Sequence, residues 1–480
     1  MSLIWVTEFF LRLQFRMCKQ WSRRSVEADR ALKVAVIGGG ITGLAAAWKL
    51  KSEGVHVQLF ESGSRPGGWV HSTERDGCLL EWGPHSVLPR SPNLIQLARE
   101  VGLHETWVSA DSKAKKRYVY RAGRLRSLPT SPLGIPFSRA LSPFGWWRVL
   151  MEPFQSAQEI PEESVKEFFH RRLGKEAAHI LADSMVAGIS GGIPESLELE
   201  SFAPKVKQME RDHGSLFSGI LRSSPVGGVP FKGTGTLRGG MQSLTDALAR
   251  DLGDRYQGSV PVTDLYRSGS VWNLAVEGAY QGDTSGFDAV ILASPAAQAA
   301  RILSSQSSHL CGLLDTISYA PMVLVQIAYA PSESRFSPDG FGFLVPRGQG
   351  MGILGAIWSS TIFPWRSPSG TALATVFMGG VRDPEVVDRT DEEIRLQALE
   401  SLKHVYGEAF RPQWIEIKRA KAAIPQQQRG HSRKVAAIRH SLLQLPGVEL
   451  AGGYLDGISL ENCATSGIEA ASRILHNASQ

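Results

Sequence analysis

Cysteine is scarce. Cys18, Cys78, Cys311 and Cys463 are spread over 480 residues, and no two of them form a C-x-x-C pair. That spacing supports neither a disulfide framework nor a zinc site, and it points to a reducing compartment. The twelve histidines form no H-x-x-x-H pair on an evident helix, so no metal is expected. No stretch approaches the ~18 uninterrupted apolar residues that a membrane-spanning helix needs, and the chain reads as soluble or peripheral. Zinc-finger spacing, an RNP-like motif and dense basic blocks are missing too, so nucleic acid is not an expected partner despite a net charge of +6. Repeats and low-complexity tracts are absent.

What remains is a chain long enough for two or three domains, with 42% hydrophobic residues. Its basic balance suits an acidic small-molecule substrate or an anionic membrane surface. In residues 1–30, Trp5, Phe9, Leu13 and Met17 recur every four positions, while Arg12, Arg16, Lys19 and Arg23 fall on another face. Drawn as a helix, this extension is a basic amphipathic segment of the kind that lies on membranes or addresses organelles. A start codon placed ahead of the true beginning near Ala31 explains it equally well, and both readings stay open.

The most informative segment is residues 34–68. An apolar strand, Val34 to Ile37, runs into Gly38-Gly39-Gly40-Ile41-Thr42-Gly43, and a helix follows with Leu44, Ala47, Trp48 and Leu50 at helical spacing. Gly54 closes that helix, and a second strand, Val55 to Phe60, ends on Glu61. The first glycine permits the tight turn, the second lets the backbone approach a pyrophosphate, and the third lets helix and strand pack closely. The helix N-terminus offers free N–H groups and a positive dipole end to phosphate. Glu61 can accept from both ribose hydroxyls and would repel a 2′-phosphate. After Ser62, the Arg65-Pro66-Gly67-Gly68-Trp69 stretch resembles the R-x-G-G element of FAD-dependent amine-oxidase-like proteins, which wraps the flavin's diphosphate side; the resemblance implies FAD rather than NAD.

Further along, Leu79 to Ser86 reads as a strand entering a turn, and Asn93 to Val101 as a short amphipathic helix. Tyr118-Val119-Tyr120 and Arg124-Leu125 flank a turn at Ala122-Gly123, which predicts a hairpin. A proline- and serine-rich stretch, Leu128 to Pro143, leads to the aromatic-basic run Phe144, Trp146, Trp147, Arg148, Leu150, Met151 and Phe154. A long helical run is expected from Ser164 to about Ala187. Strands are expected at Val260 to Val262, Val271 to Val276, Ala289 to Ala293, Val323 to Ala328, Phe341 to Val345, Ala374 to Met378 and Val448 to Tyr454. Helices are expected at Leu244 to Leu252 and Ser459 to His476. The pattern predicts a mixed α/β protein with a discontinuous Rossmann-like FAD-binding domain from residues 31–90, 226–300 and 421–480. A strand-rich substrate domain would come from 91–125 and 301–420, with a helical insertion at 126–225.

Several stretches, in order, resemble the oxygen-dependent protoporphyrinogen and coproporphyrinogen oxidases. Glu81-Trp82-Gly83-Pro84 is similar to that family's E-x-G-P turn, and Glu167 to Gly174 to its E-F-F-x-R-R-x-G helix end. Gly191 to Leu197 resembles A-G-x-x-x-x-L. Ile424-Pro425-Gln426 with Gly430-His431 resembles I-P-Q-Y-x-x-G-H, with Gln427 in place of tyrosine, and Ala451 to Ile458 resembles A-G-A-S-x-E-G-V. The matches run from about residue 33 to the end of the sequence. A flavin amine oxidase or carotenoid desaturase would leave the E-F-F-x-R-R-x-G and I-P-Q segments unexplained. An FAD-binding protein without turnover is the non-enzyme alternative.

The resemblance implies non-covalent FAD, held by residues 38–43, Glu61, Ser62, Arg65, Gly67, Gly68, Trp69, Gly83, Pro84, His85, Ser86, Val262, Gly452, Tyr454, Ile458, Ser459 and Leu460. A strand ending at Gly452-Gly453 and a helix starting near Ser459 would aim N–H groups at the flavin's N1–C2=O edge. Cys463, without the S-G-G-C-Y arrangement of monoamine oxidases, reads as a packed cysteine. A porphyrinogen is a large apolar macrocycle with propionates on one edge, so its site should be apolar with one or two cations. By resemblance Arg117 pairs with a propionate, and Phe341, Gly342 and Leu344 line the macrocycle, while Lys113, Lys115 and Lys116 read as a solvated run. His85 stands where some relatives carry arginine. No side chain is assigned as a catalytic base, because the cofactor carries the redox work and dioxygen accepts the electrons to give hydrogen peroxide. The same resemblance implies peripheral membrane contact through the aromatic-basic run and a homodimer as a candidate assembly. It places the protein at the cytoplasmic membrane face in a bacterium or in an organelle in a eukaryote.

Overall fold

The computed structural model describes residues 32–129, 132–222 and 229–479. The amphipathic extension at 1–30 lies outside them. Two sheets organise the chain. The first is parallel, in the order β18-β12-β1-β2-β9, built from β1 (Lys33–Ile37), β2 (His56–Phe60), β9 (Tyr256–Gln257), β12 (Ala289–Leu292) and β18 (Val448–Leu450). Alternation along β1 explains its two covered faces. Val34 and Val36 join one core with the helices Ile41–Ser52 and Leu460–Ala478. Ala35 and Ile37 join another with the helices Ala296–Ile302 and Ser308–Asp315. A hairpin of β10 (Val262–Ser268) and β11 (Val271–Val276) closes that second face.

The second sheet has seven strands in the order β17-β13-β16-β15-β14-β6-β7. They are β6 (Tyr118–Arg121), β7 (Arg124–Ser127), β13 (Tyr319–Tyr329), β14 (Gly342–Leu344), β15 (Gly355–Ile357), β16 (Ala372–Gly379) and β17 (Trp414–Pro425). One face, with Val323, Val325 and Ile327, packs under the helix Asp391–Tyr406 through Ile394, Ala398 and Leu402. The opposite face, with Met322 and Leu324, packs on Leu80 and Trp82 of the hairpin β3 (Ser72–Arg75) and β4 (Cys78–Glu81). A small ladder of β5 (Trp107–Ser109) and β8 (Gly235–Leu237) completes the strands.

Between the sheets' segments, residues 143–222 form helices around Val165, Phe168, Val186 and Leu199. Asp183 anchors them to the second sheet. Its fully buried carboxylate accepts from Arg347 Nε at 2.7 Å and Arg382 Nη2 at 2.8 Å.

Several elements depart from the sequence expectations. The long run from Ser164 breaks at Gly174, where φ is +90°, then resumes at Lys175, passes a π turn at Ala178–Ala182 and reaches Ser190. The strand expected to reach Tyr454 stops at Leu450; Gly452 turns away at φ +151° and Gly453–Asp456 is a short helix. The helix Pro92–Glu100 packs Leu94, Ile95, Leu97 and Ala98 into the first sheet's core, so the second sheet's share starts at Tyr118 rather than at residue 91. Likewise that sheet restarts at Tyr319 and continues to Pro425, past the expected boundary at 420.

The aromatic run is two-sided. Trp146 is buried and donates from Nε1 to Ser138 O at 3.0 Å, whereas Phe144 is 71%, Trp147 53% and Phe154 76% exposed. Among the described residues no helix is long and apolar enough to cross a membrane.

Candidate functional site

At the end of β1 the chain must turn within a few residues to start the helix Ile41–Ser52. Gly38 does so at φ +112°, and a Cβ there would lie 2.9 Å from Ala293 O. A Cβ on Gly43 would run into Gly38 O, whereas one on Gly40 would meet nothing within 4 Å. That open space faces a helix whose first turn carries no side-chain cap and no acidic residue. Its leading N–H groups, which have no intrahelical acceptor in any helix, are thus left without a side-chain cap, which is the chemistry of an anion seat. Beside it, Ser294 Oγ is buried without a partner.

Glu61, at the end of β2, accepts from Gly39 N at 2.5 Å and Gly63 N at 2.6 Å. Its main chain is flanked by Gln257 O and Val260 N, each bonded at 2.8 Å. Ser62 lies exposed next to it. Arg65 holds the following turn by donating to Pro66 O, Val70 O and Gly68 O. Gly67 N bonds Gly39 O at 2.8 Å and so ties this turn to the glycine loop. Gly67 and Gly68 both sit at positive φ, +105° and +57°. The open space at Gly40, the uncapped helix and the nearby acid fit a dinucleotide's diphosphate and ribose.

Trp82 to Ser86 lies against this turn. Trp82 N donates to His71 O at 2.8 Å, and a Cβ on Gly83 would strike Trp69 O, so only glycine fits there. His85 is buried, with Nδ1 3.0 Å from Gly83 O and Nε2 3.1 Å from Thr375 Oγ1. Burial and the nearby Arg366 guanidinium push its pKa down to about 3, so the ring is neutral. Pro84, Ser86 and Trp69 keep exposed surface.

Strand register determines what faces this segment. Leu344, Gly355, Phe377, Leu324 and Lys418 form one row across β14, β15, β16, β13 and β17. The next row on the same face is Gly342, Ile357, Thr375, Gln326 and Glu416. Gln326 Nε2 donates to Glu81 O at 2.7 Å, and Thr375 Oγ1 donates to Gln326 Oε1 at 2.8 Å. The His85 ring lies 5.7 Å from that of Phe377. The structure thus brings Gly342 and Leu344 onto the face that receives residues 81–86. Leu344 also abuts the inserted helix, since a Cβ on Gly188 would lie 2.5 Å from its Cδ2. At the sheet's end, the Arg117 guanidinium lies 4.1 Å from the Phe341 ring centroid and donates to Ala114 O at 2.8 Å.

Two of the expected cofactor residues turn side chains toward the parallel sheet's second core. Tyr454 points into the parallel sheet's second core with Val290 and Leu455, its hydroxyl unpartnered. Val262 begins β10 and packs against that same core, while Val260 is the residue bonded to Glu61. Gly452 N donates to Ser466 Oγ at 2.9 Å, and Ser466 Oγ to Asp456 at 2.5 Å. Ile458 is half-buried and Leu460 packs on the first core. Ser459 caps the helix Leu460–Ala478 by accepting from Asn462 N at 3.1 Å. That helix crosses the one from the glycine loop so closely that a Cβ on Gly467 would strike Thr42 O.

Arg366, Thr375 and Gln326 went unnoticed in the sequence. They are isolated polar residues in apolar strands and turns, and only the register reveals them.

Comparison with known proteins agrees with this geometry. The model of the flavin containing amine oxidoreductase family matches residues 41–475. Protoporphyrinogen oxidase 2, chloroplastic/mitochondrial, of Arabidopsis thaliana is 30% identical over 483 aligned positions, covering 94% of this chain and 95% of that protein. Human protoporphyrinogen oxidase is 30% identical, with 92% and 98% covered. Coproporphyrinogen III oxidase of Bacillus subtilis is 29% identical, with 93% and 99% covered. A crystal structure from Exiguobacterium, provisionally assigned as a protoporphyrinogen oxidase, superposes with a TM-score of 0.79 at 24% identity, over 93% of this chain and 99% of that one. A dinucleotide seat on a parallel sheet, a mixed sheet facing it and a family match spanning both make this chain a member of the flavin containing amine oxidoreductases.

Proposed function

We propose that this flavoprotein holds FAD non-covalently and oxidises protoporphyrinogen IX to protoporphyrin IX, with dioxygen as acceptor and hydrogen peroxide as co-product. The observation that carries the reading is the face formed by Leu344 and Phe377, with Phe341 and its stacked Arg117 at the sheet's end, opposite the turn at 82–86. An apolar surface with one cation at its margin matches an apolar macrocycle with propionates on one edge. The names of the plant and human relatives support the same substrate class.

Bound FAD would supply hydride acceptance and reoxidation by dioxygen. The chain's own residues would do the rest. The N–H groups around Ile41 and Thr42 would hold the diphosphate, Glu61 the ribose, and Arg65 the turn that covers them. Arg117 would grip a propionate, while Leu344 and Phe377 exclude water from the macrocycle face. Non-covalent attachment is supported by Cys463, whose thiol burial pushes up to about 11, leaving little thiolate for bond formation.

Coproporphyrinogen III is the second reading, favoured by the Bacillus relative's name and its 99% coverage. Purified protein with each porphyrinogen separately, followed by porphyrin fluorescence and peroxide, decides between them; no turnover of either would end the proposal. The exposed Phe144, Trp147 and Phe154 support peripheral contact with a lipid surface. A homodimer fits the same reading, as does an organellar or bacterial membrane-face location.

A further inference from the structure

The Arg366–Glu81 ion pair joins the two halves of the candidate site. Glu81 ends β4, and Arg366 lies 285 residues away in the turn Pro364–Arg366 beneath the second sheet. Both side chains are 1% exposed, with Nη2 of Arg366 3.1 Å from Glu81 Oε1. The same nitrogen donates to His85 O at 2.9 Å and Thr236 Oγ1 at 3.0 Å. Glu81 in turn accepts from Met241 N at 2.9 Å and Ser72 Oγ at 2.7 Å. One charge pair therefore collects residues 72, 81, 85, 236 and 241 around the turn that lies beside the glycine loop.

Stability alone is a poor explanation for it. Burying two charges costs several kcal/mol per ion, and the cost is recovered only when every donor and acceptor is satisfied. Arg366 Nε has no partner. Burial pushes the Glu81 carboxyl above, and the Arg366 guanidinium below, their ordinary ranges even though each faces the other. Replacing a buried ion pair with apolar residues of similar bulk is often neutral for stability. Placement is the better explanation. The segment carrying Arg366 packs Ile362, Phe363 and Trp365 around Phe341, and the guanidinium lies 4.6 Å from the Phe363 ring centroid. The segment packed around Phe341, on which Arg117 stacks, thus carries the guanidinium that holds the His85 carbonyl.

We infer that Arg366, through Glu81 and the carbonyl of His85, is a positioning residue that sets the Trp82–Ser86 turn against the flavin from the substrate side of the interface. This rests on the reading of that turn as flavin-facing.

The test compares Arg366→Met, Arg366→Lys and the double replacement Glu81→Met/Arg366→Met with wild type. In flavin-free protein, amide exchange at 82–86 should rise at least ten-fold in Arg366→Met. In flavin-loaded protein, the visible circular dichroism of the bound flavin should change. Anaerobic flavin reduction by protoporphyrinogen should slow at least ten-fold, with half-saturation shifting less than three-fold, and Arg366→Lys should recover part of each signal. The double replacement keeps the test informative if the single one fails to fold, since it leaves no unpaired charge. It should melt closer to wild type than Arg366→Met yet still show fast exchange and an altered spectrum. Wild-type exchange and dichroism in either methionine variant would overturn the inference and leave the pair as packing only. If wild type reduces no flavin with either porphyrinogen, the substrate reading falls, while exchange and dichroism still decide the role of Arg366.

Discussion

Arg117 stacks on Phe341 with 4.1 Å between guanidinium carbon and ring centroid, so the two residues expected to meet opposite parts of the substrate already touch each other. One guanidinium nitrogen of Arg117 donates to Ala114 O, and the remaining N–H groups could grip a carboxylate in a planar geometry that lysine cannot reproduce. Arg117→Ala should raise the porphyrinogen half-saturation concentration roughly five-fold, about 1 kcal/mol, because the side chain is solvent-accessible and screened. Arg117→Lys should fall between. Flavin content should hold in both. Lys113 and Lys115, exposed, are the controls; Lys116 is not, since it pairs with Asp339. Steady-state kinetics unchanged in Arg117→Ala would remove the propionate assignment.

The glycine loop offers a contrast between two substitutions. Gly40→Val puts its side chain into space that no protein atom within 4 Å of the Cβ occupies, so the protein should fold and melt like flavin-free wild type but purify colourless. Gly43→Ala drives its methyl into Gly38 O and should lower the yield of folded protein itself. Absorbance near the flavin bands and thermal melts separate the two. A yellow Gly40→Val protein would contradict the diphosphate seat.

Phe144, Trp147 and Phe154 face solvent and Trp146 does not. Replacing the first three with serine should shift the protein from vesicle-bound to free in a flotation assay, with flavin content and melting temperature kept. Trp146→Ser should instead cost about 3 kcal/mol in unfolding free energy, as expected for removing a buried aromatic. Unchanged flotation of the triple variant would dismiss the lipid contact.

Stability should fall on mild acidification. His85 and His71 have pKa values lowered to about 3 and about 4, mainly by burial, whereas an unfolded histidine titrates near 6.5. Below 6.5 the unfolded chain therefore binds more protons than the folded one, and stability is lost as pH drops. The slope is at most about 1.4 kcal/mol per pH unit for each histidine. His85 and His71 should contribute almost equally between pH 6.5 and 5, since both are unprotonated there in the folded protein, above the range where carboxylates such as Glu195 begin to titrate. Urea unfolding of wild type and His85→Gln at pH 7.5 and 5.5 checks this. Equal losses in the two proteins would assign the acid sensitivity to other groups.

Local order was readable where a single stretch carries its own reason. Val34 to Glu61 puts strand, turn, helix, strand and acid in succession, and each step depends on neighbours a few residues away. The hairpin at 118–127 was as plain, from the turn at Ala122-Gly123. Boundaries failed where tertiary packing chose. Nothing in Pro92–Glu100 says which sheet its apolar face will cover, and Gly174 looks like any glycine until its φ of +90° is seen to split a helix. Adjacent tryptophans at 146 and 147 must fall on different sides of one helix, and composition cannot say which side is buried. The Arg366–Glu81 contact depends on strand register and on a fold closing over 285 positions, which no local pattern encodes.

The close crossing at Thr42 and Gly467 also bears on how the protein is made. The glycine-loop helix leaves the ribosome with one flank bare, and the helix that covers it arrives about 400 residues later. At typical elongation rates that is a wait of roughly 20–80 s, during which Leu44, Ala47 and their neighbours offer an uncovered apolar face. The β18 edge of the sheet is supplied equally late. The nucleotide-binding half is thus begun more than 400 residues before it is completed. A chain ended by a stop codon before residue 448 would lack both the β18 edge and the covering helix.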